Sequence, residues 1–392
     1  MAYTDYTGHN TLTAVLPALY SAANIIPRKM TGLIGSCDRT FDDKQAAMQD
    51  TITVPVMTAS ANADYTPAMQ TTIGSATVPT TVTMTMDFSR QNTFVMSAEE
   101  QRSLDNGGDL AKEFLRQKTE AAIGAAIDEI EAYLIVKAKQ GASRATGTAG
   151  TTPFATTITE IADVRKILID NGMTQDPSLV LTSAAATNLR KLVTINNQPA
   201  GSPAEELLRG GTLVNLHGMA IKESAGAVAH VIGTSSGTQL NSGGSAIGST
   251  SLAYDTDVNG PWTAGDVMTI GSGGGTGTAD ANKYIVSAAN TATPLLINAP
   301  GLMIAHVDND VLTVGVAYTP CIALDRRALK LVVRPPYTNP NPLIESVFIG
   351  DPITGLTFRF DKVAGDGVVT YRIVWVYGAK VINSEGVAIL LS

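Results

Sequence analysis

The 392-residue chain is short of charge: Asp, Glu, Lys and Arg make up 16% of it, against roughly 25% in an average soluble domain. It contains no uncharged apolar run of the ~18 residues that a spanning helix needs, so no membrane segment is expected. The opening "MAYTDYTGHN" has neither a basic start nor an apolar stretch and does not read as a secretory signal. Only two cysteines occur, Cys37 and Cys321. Without Cys-x-x-Cys spacing they read as buried free thiols of a reducing compartment. The four histidines (His9, His217, His230, His306) have no paired spacing and no cysteine beside them, which argues against a metal site. No basic patch of nucleic-acid-binding strength is visible. The densest cationic stretch, "DRRALKLVVR" at 325–334, reads as surface ion pairing.

What charge there is lies unevenly. Residues 225–318 carry six Asp, no Glu, no Arg and one Lys, a net of −5 out of −8 for the chain. The remainder is nearly balanced.

Three motifs invite chemistry and each lacks a required part. In "GDVMTIGSGGGTGTADANKYIVS" (265–287) a dinucleotide fingerprint would need a third glycine where Thr276 or Thr278 stands. It would also need a helix to follow, because the helix N-terminus holds the pyrophosphate. A strand-like run, Tyr284 to Val286, follows instead, so the glycines read as a hairpin tip. "GTSSG" at 233–237 matches the nucleophile elbow with Ser235 as nucleophile, and His306 lies downstream. The elbow requires a strand-to-helix turn, and "TQLNSGGSAIGST" cannot supply the helix. Asp308 and Asp310 in "HVDNDV" read as a polar turn rather than a cation site. No catalytic, cofactor-binding or metal residue is assigned, and no cofactor is expected.

The order of elements says more. Residues 1–50 read as a short helix and an extended arm. "DTITVPVM" (50–57) and "ATVPTTVTMTMDF" (76–88) form a two-stranded arm, with Val82, Met84, Met86 and Phe88 in strand alternation. Since the linking stretch is polar and an isolated ribbon is marginal, Met57, Met84, Met86 and Phe88 are expected to be covered by a neighbouring subunit. "SAEE" (97–100) reads as a capping box. From Asp109 to Gln140 runs a helix with Leu110, Phe114, Ile123, Ile127, Ile130 and Leu134 on one stripe and Gly141 as its stop. Its length, roughly 48 Å, suits a spine rather than a layer of a compact core.

"GASRATGTAGTTP" (141–153) reads as a linker. Helix and strand then alternate: a capping box at Thr157 and Glu160, a helix to Asn171-Gly172, a strand at 178–183, a helix in "AAATNLRKLV", another starting at "SPAEELL" (202–208), and a strand in "MAIKES". From 225 to 318 helix signals vanish. "AVAHVI", "SLAYD", "DVMTI", "KYIVS", "PLLIN" and "VLTVGVAY" read as strands of a small sheet or barrel of its own. The chain closes in the strands "LTFRFDKV", "VVTYRIVWVYGAKV" and "VAILL".

In this order of parts the chain resembles the major capsid proteins of tailed bacteriophages with the Hong Kong 97-type fold, and specifically the podovirus-type coat proteins with an inserted β domain. The likeness is carried by 94–134, from hairpin into spine helix; by 264–314, in the insertion; and by 370–391, in the closing strand and tail. It implies an α+β fold with an N-terminal arm (1–50), an extended hairpin (51–96), a spine helix and peripheral domain (97–150), an axial domain (151–224), an inserted β domain (225–318) and return strands (319–392). It further implies self-assembly as pentamers and hexamers into an icosahedral shell around double-stranded DNA, held without sequence specificity. Scaffolding and portal proteins would be partners, and the site of action would be the virion, with assembly in the host cytoplasm. The acidic insertion would face outward, away from DNA phosphate. Some members of the wider fold cross-link through a hairpin lysine, but this chain has no lysine between Asp50 and Ala111. An encapsulin-like cellular compartment, which shares the fold, and a serine hydrolase built on "GTSSG" are the alternatives.

Overall fold

The computed structural model describes the chain outside residues 1–28, 41–45, 57–79, 98, 100–101, 103–108, 193–212, 214, 242, 257–260, 273–279, 291–292, 338–343 and 366. The fold is mixed α+β: two main sheets and, among the described residues, helices α1 (Asp109–Gly141), α2 (Thr159–Asp170) and α3 (Ser183–Lys191).

The first sheet is organised by one 14-residue strand, Val368–Val381, whose sequence "VVTYRIVWVYGAKV" is almost entirely β-branched, aromatic or small. One side pairs along its length with Phe88–Ser97; the other pairs first with Thr357–Gly365 and then with Leu329–Arg334. Helix α1 lies on this sheet. Its buried stripe, Ile123, Ile127, Ile130 and Leu134, is at most 4% exposed, and Tyr133 meets Tyr377 edge-on at 5.2 Å. The predicted stripe is thus the packing face from Ile123 onward. Phe114, expected on it, is 43% exposed. The helix ends where Gly141 crosses the strand, since a Cβ there would stand 2.5 Å from Val381 Cγ2.

The expected arm is present at its base as Thr51–Val56 paired antiparallel with Thr80–Thr85. The expectation about its cover is corrected. Met84 and Met86 are each 1% exposed within the chain, packed with Ala46, Val332 and Val376, so no neighbour is needed there. Burying two such side chains stabilises the base by roughly 1.5–3 kcal/mol each. The approach is possible because residue 378 is glycine: a Cβ there would overlap the Thr85 carbonyl oxygen. Phe88 is 36% exposed and stacks near Tyr133 and Tyr377. The alternating run does not continue as one strand: it breaks at Met86–Asp87 and resumes as Phe88–Ser97. Met57, the linking stretch, Ala98 and Glu100 of "SAEE", residues 202–208 and the arm before Lys29 lie outside the described residues.

The second sheet has ten strands. Pro177–Thr182, Pro320–Asp325 and Val387–Leu391 form its buried centre, with Ala220–Ser224 at one edge. Helices α2 and α3 cover one face through Ile161, Val164, Leu168, Ala185 and Leu189. Thr182 caps α3 by accepting from Ala185 N. The expected box on α2 does not form: its cap residue is Ile158, without a side-chain bond, and Thr157 Oγ1 instead reaches Glu160 Oε2 at 3.4 Å.

The region 225–318 has its own core, in which Trp262, Met268 and Leu295 are fully buried, yet apart from the short pair Ser251–Leu252 and Leu295–Leu296 its strands are not a separate sheet. Arg144–Thr146, three residues inside the expected linker, pair on one side with Val387–Leu391 and on the other with Lys283–Ile285. From there Val267–Gly271, Val311–Val314, Thr238–Leu240 and Tyr254–Thr256 carry the same sheet onward. "AVAHVI" is not a strand.

Candidate functional site

The residues with chemical promise are committed elsewhere. Ser235 is 7% exposed, bonds Thr238 Oγ1 at 2.8 Å and leads into the strand Thr238–Leu240, so no elbow forms. Both ring nitrogens of His306 face carboxylates, Asp310 at 3.0 Å and Asp280 at 3.4 Å, which leaves neither for a serine. Asp310 also accepts from Val307 N at 3.2 Å and thereby closes the expected polar turn. The strands flanking the glycine cluster, Val267–Gly271 and Lys283–Ile285, are antiparallel partners, so no helix N-terminus follows the glycines. The tip, 273–279, lies outside the described residues. Cys37 and Cys321 are buried thiols. In the basic stretch, Arg326 pairs with Asp176 at 3.8 Å and Lys330 with Asp38. Its acid is not at the surface: Asp325 is fully buried and accepts from Gln175 N and Arg327 N, each at 3.0 Å.

What the structure does assemble is a set of joints on α1. At mid-helix, Glu131 is 1% exposed and accepts from Leu33 N at 2.9 Å and Ile34 N at 3.0 Å, one per carboxylate oxygen. Residues 33–37, with Leu33, Ile34 and Cys37 at most 1% exposed, are thereby fixed to the helix. Burial pushes the Glu131 carboxyl above its ordinary range, and those two N–H groups and the Ser224 hydroxyl pull it part of the way back.

One turn before the helix end, Asp87 at the foot of the arm receives hydrogen bonds from Tyr133 Oη and from Thr85 Oγ1 (2.8 Å), with Lys137 Nζ at 3.1 Å. Burial acts to raise its pKa, but the hydroxyl bonds and the Lys137 ammonium outweigh that and hold it below the usual value. Beside it a polar cleft of about 430 Å³ opens between the arm, the α1 end, the 225–318 region and the long strand, lined among others by Thr83, Lys137, Asn298 and Lys380.

At the helix end the 225–318 region supplies the cap. Asn298 Nδ2 donates to Gln140 O at 2.8 Å and Ala142 O at 2.7 Å, satisfying carbonyls that a helix terminus leaves open. Next to it His230 stands between Lys139 Nζ (3.0 Å) and Asp266 Oδ1 (2.9 Å). Asp266 also accepts from Gly233 N and Thr263 N. The long-range bonds of these joints were not legible in the sequence, because their partners lie as far as 158 positions apart.

Large apolar side chains remain at the surface of every part: Val95 on the first sheet, Ile353 beside it, Ile169 on α2, and Val228, Val231 and Val316 where the chain enters and leaves 225–318.

No family model matches the chain, and no curated protein matches it. The chain is similar to solved structures over nearly its whole length. A structure from Mycobacterium phage Che8 has 14% identity and covers 99% of this chain and 98% of its own, with a TM-score of 0.48. The capsid structure of the cyanophage P-SCSP1u has 12% identity, 93% and 89% coverage and a TM-score of 0.44. The virus-like particle from Pyrococcus furiosus has 9% identity, 96% and 98% coverage and a TM-score of 0.42.

Proposed function

We propose that this chain is the shell-forming subunit of a tailed-phage capsid, a structural protein that assembles as pentamers and hexamers around double-stranded DNA. The observation that carries the reading is the succession of parts: a ribbon rooted on a sheet, a 33-residue helix laid along that sheet, and an α/β sheet interrupted by an acidic β region. That is the order on which the sequence resemblance rests. A helix of this length, with one face buried and apolar side chains left exposed on each part, suits a subunit whose remaining surface is covered by copies of itself. The joints on α1 fix the arm, the N-terminal segment and the 225–318 region to one rigid element, so that a neighbour pulling on any of them would act on the same helix. Scaffolding and portal proteins are the partners this role requires.

The test is assembly. Purified chain, co-expressed with the scaffolding protein encoded beside it, should give closed particles of megadalton mass by light scattering and electron microscopy. Replacing Thr58–Thr77 by an Asn-Gly turn should leave a folded, soluble chain, because the arm's base is buried by its own subunit, while abolishing closed shells or making them fall apart in mild denaturant. A wild-type chain that stays monomeric in every such condition overturns the proposal. Particles holding cargo protein and no DNA would assign the shell to a cellular compartment instead.

A further inference from the structure

The chain enters 225–318 through 225–233 and leaves through 315–319, and the two passages touch where His230 N donates to Tyr318 O at 2.7 Å. The His230 side chain sits at that crossing, 3% exposed, between Lys139 of α1 (9%) and Asp266 ahead of Val267–Gly271 (0%). Its partners fix its tautomer. An ammonium only donates and a carboxylate only accepts, so Nδ1 accepts from Lys139 and Nε2 carries the hydrogen given to Asp266. The titratable groups facing the ring are Lys139 from the helix, Asp266 from the turn and Tyr318 from the exit passage, whose ring centroid is 5.2 Å away. Tyr318 donates its hydroxyl hydrogen to Gly265 O at 2.7 Å, and burial keeps that phenol neutral by pushing its pKa up. Gly265 packs against both Lys139 and His230.

Between Lys139 Nζ and His230 Nδ1, 3.0 Å apart, there is room for one proton. A second would direct an N–H at an ammonium in a site holding a single carboxylate, with no acceptor for it.

We propose that the Lys139–His230–Asp266 chain is an acid-released latch that ties the 225–318 region to the end of α1. At neutral pH it is closed. When His230 takes up a proton Lys139 is expelled and the crossing of the two passages loosens, while the Asn298 cap and the Arg144–Thr146 strand still hold the region to α1 and the sheet. Histidine is the side chain commonly used as a protonation switch, and the device works whether or not the subunit is part of a shell.

Hydrogen–deuterium exchange of the full-length chain at pH 7.5 and 5.5, corrected for intrinsic rates, tests this. Peptides covering 226–237 and 263–268 should exchange at least tenfold faster at pH 5.5, while those covering 178–182 and 321–325 should not change. In Lys139→Met, where nothing opposes a protonated ring beside Asp266, the acceleration should vanish. In His230→Gln, which cannot titrate, it should vanish as well, so that one misfolded variant leaves the other to decide. Equal corrected rates at both pH values in the wild type, or an acid response that persists in a folded variant, would overturn the latch.

Discussion

Helix α1 holds the N-terminal segment at its middle and the 225–318 region at its end, and it holds them by different chemistry. At Glu131 a carboxylate is met by the Ser224 hydroxyl and, from the N-terminal segment, by two backbone N–H groups, which any residue except proline would offer there. At Asp266 the partners are a histidine, which in turn bonds Lys139, as well as backbone, so that joint depends on side-chain identity and on protonation. The first is a clamp indifferent to the sequence it grips. The second responds to conditions. A subunit that must keep one attachment permanent while another adjusts has use for both.

Removing each carboxylate should separate the two joints by size. Asp266→Ala leaves Gly233 N, Thr263 N and His230 Nε2 buried without their acceptor and Lys139 without its nearby countercharge. Breaking a buried charged pair costs about 3–5 kcal/mol, and urea unfolding should show a loss of that order. Glu131→Ala strands two N–H groups and no cation, so the loss should be smaller, about 2–4 kcal/mol. It should also come with rapid proteolysis before residue 38 while the 225–318 region stays protected. A loss at Glu131 exceeding that at Asp266 would mean that the Lys139 charge adds nothing to the second joint.

The smallest effect concerns the foot of the arm. Asp87 has a folded pKa below its ordinary value, so its contribution is present above the unfolded value near 3.8 and is lost as pH falls through the folded one. It is only partly buried and in contact with water, so the effect should be local. Backbone exchange at Thr83–Phe88 should quicken only as pH falls below the ordinary carboxylate value of 3.8, well under the range that opens the His230 latch. Loosening of both in a single step would make them one unit rather than two.

The helix and its stripe, the base of the arm and the long closing strand were legible because their side chains carry the period of their own element. The second half of the arm was misread because alternation shows which face is apolar, not what covers it. Met84 and Met86 are covered by Val332 and Val376, some 250 to 290 positions on by numbering. Phe88–Ser97 was hidden for a related reason: "SRQNT" has little strand character, and the ladder comes from its partner strand. The His230 joint had no local signal, since a lone histidine at irregular spacing looks inert until the fold brings Lys139 and Asp266 to it.

The place of Val387–Leu391 governs when the molecule can be finished. This strand lies in the middle of the ten-stranded sheet, between Pro320–Asp325 and Arg144–Thr146, and Ser143 Oγ bonds to the Val387 carbonyl 244 positions downstream. During synthesis the two halves of that sheet therefore cannot join, and each keeps an open edge, until residues 387–391 are available. Closure across so long a loop is slow, and unpaired edges invite association between chains. A polypeptide stalled or truncated before this strand would expose both edges at once, so translation itself keeps unfinished subunits from presenting a completed sheet to their neighbours.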